Sequence, residues 1–240
     1  MACHGGPDIV EDNLVLYLDA ANTKSYPGSG TDWYDLTGNK FHMDLVNGPT
    51  FSTVSGAKCF SLDGSNDKGV CDGSVTGSVS ATVTNLGLGG TQPKTVVCWA
   101  NVGSTGSTSG GLFDLGDHGT TGEMYCLRRA GTTAWRAQFW STPDYDFTYD
   151  GTSKWTMFSQ VYGTDKIGKT YGNNGILLGE DSGSFDLTTA GTTPFTMGIY
   201  EASSTYYFGG SIAMYMVYDR GLTVAEIKQN YNALKGRYGL

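Results

Sequence analysis

Short apolar or alternating runs recur along the chain between Gly, Asn and Asp: NLVLYLDA, KCFSLDG, KTVVCWANV, GLFDLGD, EMYCLRR, WRAQFWS, YDFTYD, WTMFSQVYG, KIGKTYGN, GILLGE, PFTMGIY and GSIAMYMVYD. Runs of this length, rich in β-branched and aromatic residues and without a helical period, predict about a dozen strands and a two-sheet antiparallel sandwich. In PDYDFTYDG, Tyr145, Phe147 and Tyr149 share one side while Asp144, Asp146, Thr148 and Asp150 share the other, which predicts a half-buried strand. Leu14 to Leu18 has no polar side and predicts a central strand or one covered by a loop.

One helix is legible, in GLTVAEIKQNYNALKGRYGL. Thr223 and Glu226 form a capping box, Leu222 and Ile227 a hydrophobic staple, and Val224, Ile227, Tyr231 and Leu234 one apolar face that ends at Gly236. Residues 20–40 read as a long loop packed by Tyr26, Trp33, Tyr34 and Leu36; residues 103–111, built from Gly, Ser and Thr, read as a mobile one. Residues 1–12, with Gly5-Gly6-Pro7, read as an N-terminal arm, and residues 13–240 as a single domain.

The length of 240 residues suits one large β domain, and 16% charged residues with 36 glycines suit many tight turns. A net charge of -8 without basic clusters argues against nucleic-acid binding. No apolar run approaches the roughly 20 residues that span a bilayer, and the N-terminus lacks the basic start and apolar stretch of a secretory leader, so folding in a cytoplasm is expected. Five scattered cysteines and three histidines argue against zinc and read as buried thiols. If Cys59 and Cys71 flank a hairpin, they are the pair able to meet across it.

Candidate chemistry is sparse. Five glutamates without an E-x-D-x-E cluster argue against glycoside hydrolysis, which needs two carboxyls facing one bond. The absence of G-x-S-x-G argues against a serine hydrolase, and His118, with Asp114 and Asp117 just before it, reads as a turn histidine. The loop bearing Asp32, Asp35 and Asn39 offers hard oxygen ligands for calcium, as do Asp19, Asp63 and Asp67; the alternative is that these residues form turns with Gly38 and Gly64. Trp135, Trp140 and Tyr145, or the loop rings Trp33 and Tyr34, are candidate platforms for a sugar.

In the closing segment, Tyr218, Asp219, Arg220, Leu222, Thr223, Glu226 and Ile227 fill the pattern Y-[DN]-R-x-L-[ST]-x-x-E-I. With FSLDGSNDKGV, TVVCWANV, KWTMFSQVYG and YGNNGILLGE in order upstream, the chain resembles the concanavalin A-like, laminin-G-like jelly-roll superfamily. The resemblance implies an all-β jelly-roll sandwich with a short C-terminal amphipathic helix. The opening LVLYLDAANTK and the ending NYNALKGRYG are further similar to such domains in tailed-phage structural proteins. That similarity implies a non-enzymatic virion protein, either a capsid decoration protein or a tail or fibre component, made in the host cytoplasm. Its partners would be capsid or tail proteins and further copies of itself. The alternative is a lectin-like module that binds a host-surface glycan.

Overall fold

The computed structural model describes residues 8–103, 109–119, 123–140, 144–203 and 205–240. Among them the strands are β1 Leu14–Asp19, β2 Asp32–Trp33, β3 Met43–Val46, β4 Thr50–Val54, β5 Ala57–Asp63, β6 Lys68–Val70, β7 Lys94–Val102 and β8 Gly111–Gly116. They continue with β9 Met124–Arg129, β10 Ala134–Gln138, β11 Tyr145–Thr148, β12 Trp155–Tyr162, β13 Gly168–Gly172, β14 Ile176–Glu180, β15 Thr196–Met197 and β16 Gly209–Tyr218, before helix α1, Val224–Leu234. All the runs named from the sequence contain strands; β2, β3, β4 and β6 are additional.

The first sheet runs β14-β13-β12-β7-β16-β5-β4, with β1 also paired to β16. The second runs β11-β10-β9-β8-β15-β6-β3-β2. Every ladder is antiparallel, and the main core lies between the two sheets. The result is the expected jelly-roll sandwich.

The first sheet is apolar on both faces because both are covered. On β7, Val96, Cys98, Ala100 and Val102 point into the sandwich, while Val97 and Trp99 point outward beneath α1. β1 is built likewise: Leu16 and Leu18 face the core, Leu14 and Tyr17 the helix side. Its missing polar side thus has a physical cause.

Helix α1 starts with the predicted capping box: Thr223 Oγ1 accepts from the Glu226 N–H at 3.3 Å, and Glu226 Oε2 accepts from the Thr223 N–H at 2.8 Å. Its buried face is rotated from the predicted one, with Val224 exposed and Asn230 buried beside Ile227 and Leu234. Asn230 Oδ1 accepts from the Val10 N–H at 2.7 Å, its Nδ2 donates to the Tyr218 hydroxyl at 3.1 Å, and that hydroxyl donates to the Val10 carbonyl at 2.9 Å. Gln229 Nε2 also donates to the Asp8 carbonyl at 2.9 Å. Residues 8–12 of the expected arm are therefore docked on the helix; residues 1–7 lie outside the described residues, as do residues 104–108 of the loop expected to be mobile.

The helix does not stop at Gly236. It tightens into a 3-10 turn over Lys235–Tyr238, closed by Gly239 in the left-handed region at φ 71°. The extra turn carries the Tyr238 ring onto Trp99, with centroids 3.8 Å apart and planes at 8°.

The segment Phe60 to Val70 is a crossover between sheets rather than a hairpin, since β5 belongs to the first sheet and β6 to the second. Cys59 consequently faces the helix side and Cys71 the space between the sheets; both are free thiols. A cross-strand disulfide is ruled out by this placement.

Candidate functional site

Three of the ring residues singled out from the sequence are inside the sandwich: Trp33, Trp135 and Tyr145 are 0%, 1% and 8% exposed. Trp33 on β2 packs on Phe60 and Tyr215, with ring centroids 4.8 and 6.2 Å away. Trp135 stands opposite Phe147 in the β10–β11 register and donates its indole N–H to the Tyr149 carbonyl at 3.0 Å. The Tyr145 hydroxyl is hydrogen-bonded to Thr170 Oγ1 at 2.8 Å. No sugar can stack on rings so enclosed, and the aromatic side of PDYDFTYDG is a core side. Half-buried Tyr34 packs edge-on against His42 and donates its hydroxyl to Asp32 Oδ2 at 3.2 Å, which makes it part of its loop's own packing.

Trp140 is different. It follows β10 with φ 63°, a conformation bulky residues seldom adopt and that costs on the order of 1 kcal/mol or more. Its half-buried ring lies on the outer face of the second sheet, against the small cluster of Met124, Cys126 and Tyr200. From it a strip of rings crosses that face: Trp140 to His118 at 6.0 Å, His118 to Tyr200 at 6.3 Å, and Tyr200 to Tyr206 at 5.9 Å. Tyr206, at 38% exposure, is the outermost tyrosine of the strip. A tight return holds the two tyrosines together, the Tyr200 N–H donating to the Tyr206 carbonyl at 3.0 Å. Burial pushes the Tyr200 phenol up to about 12, so its hydroxyl is neutral in ordinary buffers.

The strip is anchored from below. Asp114 on β8 is fully buried, accepts from His118 Nε2 at 3.2 Å and from the Glu201 N–H at 2.8 Å, and is held above the usual carboxylate range by burial, against the pull of those two donors. For His118, burial favours the neutral ring, but the hydrogen bond and charge of Asp114, with Glu201 and Asp117, outweigh it and leave the imidazole above its ordinary 6.5. Histidine in the folded chain therefore binds its proton more tightly than in the unfolded chain. The stability it contributes is fully present below about pH 6.5 and is lost as pH rises through the higher folded value. His118→Gln should erase the extra loss of stability between acidic and mildly alkaline buffer, measured from urea midpoints of the two proteins. Equal slopes would show that the pair does not titrate.

Beside the strip, Arg128 on β9 and Arg136 on β10 are direct cross-strand partners. Arg136 forms a two-bond ion pair with Asp146 at 2.6 and 2.8 Å. Arg128 donates Nε to Gln138 Oε1 at 2.6 Å and Nη1 to the Arg129 carbonyl at 3.0 Å, and lies over the Tyr200 ring at 4.9 Å. Lys68 pairs with Glu201 at 3.3 Å at the strip's far side.

The proposed calcium ligands do not converge. Asp35 spends both carboxylate oxygens on β1 and its own loop, accepting from the N–H groups of Tyr17, Thr37 and Phe41 and from the Thr37 hydroxyl at 2.8–3.2 Å. Asn39 donates to the Val15 carbonyl at 2.9 Å, and Asp32 accepts from Thr31 and Tyr34. Asp63 caps the N–H groups of Ser65, Asn66 and Asp67, Asp67 accepts from the Asp63 N–H, and Asp19 pairs with Arg237. Among the described residues no three carboxylate, His or Cys side chains are grouped to hold a metal. The residues fit their alternative role as turn formers.

Residues 72–228, more than half of the chain, match the family model described as the concanavalin A-like lectin/glucanases superfamily. No curated protein matches the sequence. Among solved structures, the chain is similar to a Trypanosoma rangeli sialidase at 15% identity and a TM-score of 0.66, over 95% of this chain and 34% of that one. It is similar to the binding domain of Paraclostridial Mosquitocidal Protein 1 at 15% identity and a TM-score of 0.65, over 92% and 52%. The receptor binding domain of botulinum neurotoxin C/D mosaic serotype follows at 14% and 0.63, over 92% and 51%. The chain thus spans a third to a half of these proteins, and at such identities the likeness is one of fold.

Proposed function

The chain belongs to the concanavalin A-like lectin/glucanases superfamily, and from that premise we propose a non-enzymatic, glycan-binding domain displayed on a phage particle. The carrying observation is the pair of accessible rings on the outer face of the second sheet, half-buried Trp140 and exposed Tyr206, joined from beneath by His118 and the buried Tyr200 and flanked by Arg128 and Arg136. Sugars dock where an aromatic platform lies beside a few oriented polar groups, and Arg128, whose Nε donates to Gln138 Oε1 at 2.6 Å, is such a group. That two structurally similar domains are a binding domain and a receptor binding domain supports a binding role for this fold. Its non-enzymatic character rests on the lack of an E-x-D-x-E cluster and of G-x-S-x-G in the sequence.

The particle location rests on the likeness of LVLYLDAANTK and NYNALKGRYG to tailed-phage structural proteins. The domain would be a capsid decoration protein or a tail or fibre component, contacting capsid or tail proteins and copies of itself. A glycan array tests the binding role: selective signals are expected, falling roughly tenfold in Trp140→Ala and Tyr206→Ala while both variants stay folded by circular dichroism. An array without selective signals would defeat it. Peptide mass spectrometry of density-banded particles tests the location, which fails if the chain is absent from them.

A further inference from the structure

We propose that Arg128 makes this face selective for glycans that carry a carboxylate, an inference that rests on the glycan-binding reading above. Arg128 and Arg136 occupy equivalent places, directly opposite each other on β9 and β10. They are treated differently. Arg136 is neutralised by Asp146, whereas among the described residues no carboxylate lies within ion-pair distance of Arg128. In a chain with 23 acidic residues and a net charge of -8, this guanidinium is instead fixed by neutral acceptors, Gln138 Oε1 and the Arg129 carbonyl.

Its orientation is fixed as well. Gln138 is itself held by the Tyr200 hydroxyl, and the guanidinium stacks over Tyr200 at 4.9 Å and stands 6.0 Å from the Tyr206 ring. Nε and one N–H of Nη1 are spent, and Nη2 makes no hydrogen bond to a described residue. Such a planar fork, held in place before the ligand arrives, matches a carboxylate in geometry and charge. A sugar ring resting on exposed Tyr206 would carry a ring carboxylate beside it. A neutral sugar gains the stacking alone; an acidic one adds a charge-assisted hydrogen bond, worth roughly tenfold or more in affinity.

The test is a glycan array that pairs uronate- and sialate-bearing oligosaccharides with the same glycans esterified at the carboxyl, followed by titration calorimetry of the strongest acid–ester pair at low and high salt. The acid form is expected to bind at least about tenfold more tightly, to weaken with salt while the ester does not, and to lose its advantage in Arg128→Gln. Equal binding of acid and ester, or acid binding unchanged in a folded Arg128→Gln, overturns the selectivity and leaves the glycan reading standing. No signal from any glycan overturns both. Should Arg128→Gln fail to fold, the acid–ester ratio of the wild type and its salt dependence decide the matter.

Discussion

Tyr238→Ala is expected to lose about 3–5 kcal/mol of stability, whereas Tyr238→Phe should be neutral or slightly stabilising. The Tyr238 ring is 4% exposed, stacks on Trp99 and meets Trp155 at 5.0 Å, so alanine would leave a ring-sized cavity between the first sheet and the C-terminal turn. Its hydroxyl, by contrast, has no hydrogen-bond partner among the described residues. Removing it strands no partner and ends the burial of an unsatisfied polar group. Urea midpoints of the two variants separate ring from hydroxyl. A loss below about 1 kcal/mol for alanine would mean the turn repacks around the gap.

Asp19→Asn should cost about 2–3 kcal/mol. Asp19, buried at the end of β1, accepts two hydrogen bonds from Arg237 at 2.6 and 2.9 Å and further ones from the Ala21 N–H and the Tyr17 hydroxyl. Removing its charge leaves the guanidinium without its ion-pair partner. Breaking a fully buried pair costs more, about 3–5 kcal/mol, but the Arg237 side chain is 34% exposed and recovers some hydration. Adding Arg237→Met to Asp19→Asn should restore part of the loss, because the stranded charge is then gone. A strictly additive double mutant would show that the pair is not coupled.

Much of the fold was legible because sheets and capped helices write their periods into the chain. The alternation of Tyr145, Asp146 and Phe147 is the alternation of core and solvent on β11, and Thr223 with Glu226 placed the helix start. The two-residue strand holding Trp33 is too short to show a period, so the tryptophan read as a loop ring although it belongs to the core. Asn230 is polar on a buried helix face, an exception no apolar pattern reveals. The ring strip was legible only at Trp140. His118, Trp140, Tyr200 and Tyr206 lie on three separate stretches, and only the pairing of β8 with β9 and β15, and of β9 with β10, brings them together. The pair of tyrosines enclosing EASST, Tyr200 and Tyr206, was the available signal.

The docking of residues 8–12 and of the C-terminal turn on the same side of the first sheet sets the polarity of the molecule. Asp8 is bound to the helix and Tyr238 lies on Trp99, so both described ends of the chain leave from one broad side. The ring strip occupies the opposite side, with the whole sandwich between. A support joined to either end, or pressed against the helix, would therefore present Tyr206 and Arg128 away from itself. Mounted that way, the domain stands like a tile glued by its back, and copies set side by side would turn a weak single contact into an avid surface.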